Sequence, residues 1–318
     1  MRPTSLNCVY ELAQKDERVV FIGSDLGPGV LDEFKKNIPE RFFMEGVAEQ
    51  LIVGMAAGLA LEGFIPYVNT IATFLTRRCY EQNVLDLGLH NTNVRLISNG
   101  GGTVYAPLGP THLAIEDIAI MRAIPNMTIV SPADADEMRR FMMQTLDYEG
   151  PIYIRLGKGY DPIVSSDKFP FEIGKGILMQ EGSDLLIVTT GISLALALEA
   201  AERLKKRKIN ASVLHMHTIK PLDREALVNA VDKVPAVITL EEHTILGGLG
   251  SACAEIILEE GFNEKKSFKR IGIPDVFPKG YGNQKDMMAR NGISVSEIVK
   301  TSEDLLRVNL KEDKKWEI

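Results

Sequence analysis

The sequence predicts an α/β protein of two three-layer domains, each a mostly parallel sheet between helices. Three observations carry this. Short runs such as Arg18-Val19-Val20-Phe21-Ile22, Phe64-Ile65-Pro66-Tyr67-Val68 and Val94-Arg95-Leu96-Ile97-Ser98 are apolar nearly throughout, as strands covered on both faces are. Segments with helical spacing separate them, and strands alternating with helices give a parallel sheet. Between Gly157 and Gly176 the pattern lapses into a polar, Pro- and Ser-containing connection, then resumes. We therefore divide the chain into residues 1–160, a linker at 161–178 and a second domain at 179–318.

Composition narrows the function classes. A chain of 318 residues can bury two cores, and 45% apolar with 25% charged residues is an ordinary globular balance. The net charge is −7, and the one basic block, Lys205-Lys206-Arg207-Lys208, closes a predicted helix, where cations suit the dipole. Nucleic-acid binding is not expected. Three distant cysteines, Cys8, Cys79 and Cys253, give neither a disulfide framework nor a zinc spacing. The N-terminus lacks an apolar signal core and no run approaches ~20 apolar residues, so a cytoplasmic protein without a membrane span is expected.

Taken in order, Ser5 to Asp16 reads as a helix leading into the first strand. Gly23-Ser24-Asp25-Leu26-Gly27-Pro28-Gly29 is a loop at that strand's carboxyl end, where open α/β sheets place ligands. Asp25 suits either a ligand site or an Asx-turn. From Leu51 to Leu61 there is no polar side chain, which predicts a helix buried on all sides. Glu49 stands at its entrance, either as a favourable helix-end acid or as a functional group, since a buried charge finds a partner or takes up a proton. After the strand Phe64–Val68, Asn69 to Leu85 reads as mostly helical, with Phe74, Arg78, Glu81 and Gln82 at helical spacings. The strand at 94–98 runs into Asn99-Gly100-Gly101-Gly102, a loop of bent or closely approached backbone. A helix is predicted from Leu113 to Arg122.

Met127–Ser131 and Ile152–Arg155 are strands around a helix at Pro132–Tyr148, with Ser131 as its expected cap and Pro132 first in the helix. The second half predicts strands at Asp184–Thr190, Ala211–His215, Ala236–Leu240 and Arg270–Ile273. Helices are expected at Leu194–Lys206, Asp223–Val231, through Glu259 and at Val295–Leu306. The glycine-rich turn Gly247-Gly248-Leu249-Gly250 lacks dinucleotide-site spacing and is read as packing. His112, after a Gly-Pro-Thr turn, is the most suggestive histidine. His90 follows a helix, and His243 is read as a loop residue. His215 and His217 share a strand face, but no third metal ligand lies nearby in sequence.

Several stretches together resemble the transketolase family of thiamine-diphosphate enzymes, through its pyrimidine-binding and C-terminal domains. In the first half they are Arg41-Phe42-Phe43, Gly46-Val47-Ala48-Glu49-Gln50, Ala56-Ala57-Gly58-Leu59-Ala60, Thr73-Phe74-Leu75, Gly109-Pro110-Thr111-His112, Ile124-Pro125-Asn126-Met127 and Ser131-Pro132-Ala133-Asp134. In the second half they are Ile219-Lys220-Pro221-Leu222-Asp223 and Glu241-Glu242 before Gly247-Gly248-Leu249-Gly250. The resemblance implies a cofactor held between two domains, one of them carrying a Gly-Asp-Gly…Asn motif for Mg2+ and the diphosphate. This sequence contains no Gly-Asp-Gly. It therefore resembles the C-terminal subunit of a split transketolase, active only with an N-terminal partner subunit, in a heterotetramer of two chains of each kind. The small-residue stretch behind Glu49 would then be a subunit interface.

The resemblance also implies roles. Glu49 would hydrogen-bond the pyrimidine ring nitrogen and favour the imino tautomer; Phe74 would stack on the ring. Ile71 and Arg77 occupy positions often aromatic in relatives, and Asp25 matches an acid near the cofactor. His112 would face the donor ketose and bind its hydroxyls or relay protons. Four positions depart from sugar-phosphate transketolases: Leu108 replaces a hydroxyl-reading Asp, Gly100 a phosphate-binding His and Gly29 a Ser. Lys158 replaces a phosphate-contacting Arg and loses its bidentate fork. These departures imply ketol transfer to an acceptor that is not an ordinary aldose phosphate. A deoxyxylulose-phosphate-synthase-like carboligase, a 2-oxo acid dehydrogenase β-type chain and a non-catalytic scaffold are the alternatives.

Overall fold

The computed structural model describes residues 1–24, 29–157, 159 and 161–313, with side chains to 307. The first half runs α1 (Arg2–Lys15), β1 (Val19–Gly23), α2 (Asp32–Asn37), β2 (Phe42–Met44), α3 (Glu49–Leu61) and β3 (Ile65–Ile71). It continues with α4 (Ala72–Thr76), α5 (Tyr80–Gln82), a π-helical segment (Asn83–Leu89), β4 (Arg95–Asn99), α6 (Asp117–Arg122), β5 (Thr128–Val130), α7 (Ala135–Met142) and β6 (Ile152–Leu156). The second half comprises β7 (Ile177–Gln180), β8 (Leu185–Thr189), α8 (Ser193–Lys206), β9 (Ala211–His215), β10 (Thr218–Lys220) and α9 (Arg224–Asp232). It ends with β11 (Ala236–Thr244), α10 (Leu249–Glu260), β12 (Ser267–Ile273), α11 (Gln284–Arg290) and α12 (Val295–Asp313).

Two sheets form, each covered on both faces, so the predicted pair of three-layer α/β units is borne out. The first has the order β10-β5-β6-β4-β3-β1-β2 and the second β12-β11-β8-β9-β7. Strands β1 to β6 pair in parallel wherever they meet, and β10 adds antiparallel to β5. The second half thus lends a strand to the first half's sheet. Lys220 fastens it, donating to the carbonyls of Arg122 and Ile124. From β1 the chain crosses to β2 on one side and then returns to β3 on the other, so a topological switch point lies at the carboxyl ends of β1 and β3.

Several local expectations are corrected. Asn69 to Leu85 is not mostly helical: β-branched Thr70 and Ile71 extend the ladder opposite Ser98 and Asn99 before the chain turns into α4. The helix expected from Leu113 is confined to Asp117–Arg122, because Ala114 bridges to Gly101 and Gly102. Helix α7 is capped by Asp134, which accepts from the Asp136 and Glu137 amides at 3.0 and 2.9 Å, so Ser131 and Pro132 lie outside it. His243 lies in β11 rather than in a loop, its Nδ1 donating to the Thr244 carbonyl at 2.7 Å. Strands β2, β7 and β10, of three or four residues each, were too short to signal themselves by periodicity. Helix α3 is buried on one face only. Ile52, Val53, Ala56 and Ala57 pack inward, while Leu51 and Leu61 are 60% and 64% exposed. The turn before α10 serves packing as expected, its Leu249 and Gly250 amides both donating to Glu241 at 2.8 Å.

The histidine pair is packed, not open to an ion. His215 Nε2 lies 3.0 Å from Glu137, and His217 stacks on Phe171 with centroids 3.9 Å apart. Among the described residues no three His, Cys, Asp or Glu are grouped to hold a metal. Burial pushes the His217 imidazole down to about 3; neighbouring His215 and Arg140 add to this, and Glu137 and Asp223 oppose it. The folded state then keeps His217 neutral while the unfolded chain takes up a proton below about 6.5. On this account alone, stability should fall as the pH drops from about 6.5 toward about 3. Thermal unfolding checks it: His217→Phe should lose less Tm than wild type between about pH 6 and about pH 4.

Candidate active site

A pocket of about 290 Å3 opens at the switch point. Ser24 follows β1, Thr70 and Ile71 end β3, and Asn99 ends β4, so the strands deliver these side chains together. Val47, Glu49, Phe74, Tyr105 and Arg2 complete the wall. Glu49 is the first residue of α3 and is 1% exposed. Its Oε2 accepts from Arg78 Nη1 at 2.9 Å, while Oε1 is buried without a partner among the described residues. Asn99 donates to Asn69 Oδ1 at 3.1 Å, leaving its own Oδ1 unpartnered among the described residues. The Nε of Arg2 likewise has no partner among the described residues. Buried polar atoms are normally paired, so three such atoms around one pocket mark a place where a polar ligand is received.

The aromatic part of the site is built around Phe74 in α4. The Arg78 guanidinium lies 4.1 Å from the ring centroid, and the His112 ring meets it edge-on at 5.2 Å. Arg78 therefore joins the carboxylate to the aromatic. His112 itself is held by Thr111, with Nδ1 and Oγ1 2.9 Å apart.

The loop from Gly100 to His112 is fixed from the second half of the chain. Glu242 of β11 accepts from the Thr103 amide at 2.8 Å, from Thr103 Oγ1 at 2.5 Å and from Gln284 Nε2 at 3.0 Å. Burial pushes the Glu242 carboxyl up, and Arg155, Thr103 and Gln284 work against that shift. Gly102, with φ +69°, leaves room for this carboxylate: a Cβ there would lie 2.4 Å from Glu242 Cδ. Arg155 donates to Asp117 Oδ2 at 2.7 Å and to the Glu242 carbonyl at 2.8 Å, and Tyr153 donates to the same Asp117 oxygen.

Of the residues singled out from sequence, Glu49, Ile71 and Phe74 line the pocket, and His112 packs against Phe74. Arg77 does not join them. Its guanidinium pairs with Glu116 and donates to the Leu113 carbonyl at 2.8 Å, and its neighbour Arg78 takes the place by Glu49. Leu108 is 52% exposed on the loop and outside the pocket wall. Gly100 lies beneath the Tyr105 ring. Asp25 and Lys158 lie outside the described residues. Sequence reasoning missed Arg2, Ser24, Val47, Thr70, Asn99 and Tyr105 as pocket residues, and Arg78 as the partner of Glu49. Ser24, Thr70 and Asn99 had an available signal, since each stands at the carboxyl end of a predicted parallel strand.

Comparison with known proteins identifies the family. The family model described as transketolase, pyrimidine binding domain, matches residues 1–160, and that described as transketolase, C-terminal domain, matches residues 174–298. The chain is 37% identical over 306 residues to the 6-deoxy-6-sulfo-D-fructose transketolase subunit SqwH of Clostridium sp. (strain MSTE9), covering 96% of this chain and 94% of that one. It is 35% identical over 308 residues to one of the apulose-4-phosphate transketolase subunits of Phocaeicola vulgatus, covering 96% and 97%. A solved structure described as a split gene transketolase, inactive beta4 tetramer, matches with a TM-score of 0.88 at 37% identity, covering 96% of this chain and 98% of that one. The chain belongs to the transketolase family, as a counterpart of its separately encoded C-terminal subunits.

Proposed function

We propose that this chain supplies the pyrimidine side of a thiamine-diphosphate site in a two-chain transketolase, which passes a two-carbon ketol unit to an aldehyde other than an ordinary aldose phosphate. The observation that carries the reading is Glu49: buried, held through Oε2 by Arg78, and with Oε1 unpartnered at a pocket of about 290 Å3. These residues fit an aminopyrimidine. Glu49 Oε1 meets a ring nitrogen, Asn99 Oδ1 is free to accept from an amino group, and Phe74 offers an aromatic surface. When bound, the cofactor supplies the carbon centre that takes up and releases the ketol unit.

The chain's own residues then do the following. Glu49 holds a proton at the pyrimidine nitrogen through Oε1, and Arg78 keeps the carboxyl group in place. His112, oriented by Thr111, exchanges protons with substrate hydroxyls beside Phe74. Arg2 offers a cation to an anionic substituent. The acceptor assignment is supported by Leu108 and Gly100, which lack the groups that read an aldose phosphate in the family, and by relatives named for sulfofructose and apulose phosphate.

Mg2+ and the diphosphate belong, on this reading, to a partner chain with a Gly-Asp-Gly…Asn motif, two chains of each kind assembling. The bare face of α3, with Leu51 and Leu61, and the nearby Val47, 70% exposed, suit such an assembly. The division into 1–160, a linker at 161–178 and 179–318 is part of the same proposal, with β10 returning to the first sheet. So is a cytoplasmic setting; the three cysteines are buried and unpaired, and no helix among the described residues is long and apolar enough to cross a membrane.

Reconstitution tests the whole. Neither chain alone should bind thiamine diphosphate tightly or turn over, while the mixture should do both. Ribose 5-phosphate as the best acceptor would sink the acceptor assignment. Turnover of pyruvate with release of carbon dioxide would move the chain to the carboligases.

A further inference from the structure

We propose that Tyr105 determines which sugars the site accepts: its ring, seated in the niche above Gly100, forms a fixed wall that favours aldehydes shorter than a five-carbon aldose phosphate. The proposal rests on reading the pocket as the transferase site. Tyr105 lines that pocket together with Glu49 and Phe74. At Gly100, where φ is +76°, a Cβ would lie 2.1 Å from Tyr105 Cε2 and 2.4 Å from Cδ2. The ring thus fills the space that any side chain at position 100 would use, and the two positions share one volume.

The wall is rigid because its loop is. Thr103 and Ala106, on either side of Tyr105, are fully buried. The Ala106 amide donates to the Thr103 carbonyl at 2.9 Å, and the Leu108 amide to the Tyr105 carbonyl at 2.8 Å. Glu242 pins Thr103 through both its amide and its hydroxyl. An aromatic face anchored in this way discriminates by exclusion, and it brings no charge to the niche. A misfit of even one methylene in a shaped pocket changes kcat/KM by about 10- to 200-fold.

The test uses the reconstituted two-chain enzyme with hydroxypyruvate as ketol donor and glycolaldehyde, glyceraldehyde 3-phosphate and ribose 5-phosphate as acceptors. Tyr105→Leu and Tyr105→Ala should raise kcat/KM for ribose 5-phosphate relative to glycolaldehyde by about tenfold or more. Tyr105→Phe, which keeps the wall, should retain the wild-type ratio. Wild-type ratios in the leucine and alanine variants, or a shift in Tyr105→Phe as large as in Tyr105→Ala, would overturn the proposal. Thiamine diphosphate binding in the same mixtures separates the two levels: it should be weakened far more in Glu49→Ala than in the Tyr105 variants. Undiminished binding and turnover in Glu49→Ala would remove the assignment of the pocket, and the proposal with it.

Discussion

Replacing Glu49 by alanine is expected to lower ketol transfer by the reconstituted enzyme about 10²- to 10⁴-fold, the range a positioned proton-transfer group contributes. The same variant should fold. Its loss leaves Arg78 without its carboxylate, but that side chain is 45% exposed and can be rehydrated. Functional carboxylates held with an unsatisfied oxygen are poor stabilisers, so unfolding should move little or upward while turnover collapses. Glu49→Gln sharpens the result. It preserves shape, yet an amide cannot play a carboxyl's part at a ring nitrogen, and the rate should remain far below wild type. A chain that served only as a scaffold would leave its partner's turnover unchanged in both variants. Steady-state rates alongside thermal melts decide between these outcomes.

The largest stability effect is expected at Asp117, a residue that no sequence signal singles out. Asp117 and Arg155 are buried, with Nε and Oδ2 2.7 Å apart. Burial works against the Arg155 charge, but the Asp117 carboxylate outweighs it and holds the guanidinium above its ordinary range. Asp117→Ala would strand that charge in the interior, at a cost of about 3–5 kcal/mol. The expected fall in Tm is about 10 °C or more. Replacing both partners, as in Asp117→Leu with Arg155→Met, should recover part of the loss, because no unpaired charge remains. Arg155 also carries the Glu242 carbonyl, so the single variant should loosen the Thr103 loop and with it the wall made by Tyr105. A Tm within about 2 °C of wild type would refute the assignment of this pair as a buried ion pair that stabilises the fold.

Much of the architecture was legible in the chain because it is written locally. Buried parallel strands such as Val19–Gly23 and Arg95–Asn99 are apolar nearly throughout, and helices between them repeat on their own period. Glu49 stood out for the same reason: a carboxylate opens a segment with no polar side chain from Leu51 to Leu61. The same apolarity misled about that helix, since composition cannot say whether a bare face meets this chain or another. Short edge strands such as Phe42–Met44 and Thr218–Lys220 carry too few residues for a period to register.

What the sequence by itself determined is the alternation of strand and helix, the presence of two α/β halves and, through the family resemblance, the acid and aromatic that line the candidate pocket. Only the tertiary structure decided which arginine reaches Glu49, that Asn99 and Arg2 meet it across the pocket, and that Tyr105 fills the place left open by Gly100. The physical reason is distance along the chain. Thr103 and Glu242, which fix the loop carrying Tyr105, are 139 residues apart. Periodicity records a residue's own face, and only packing brings such faces together.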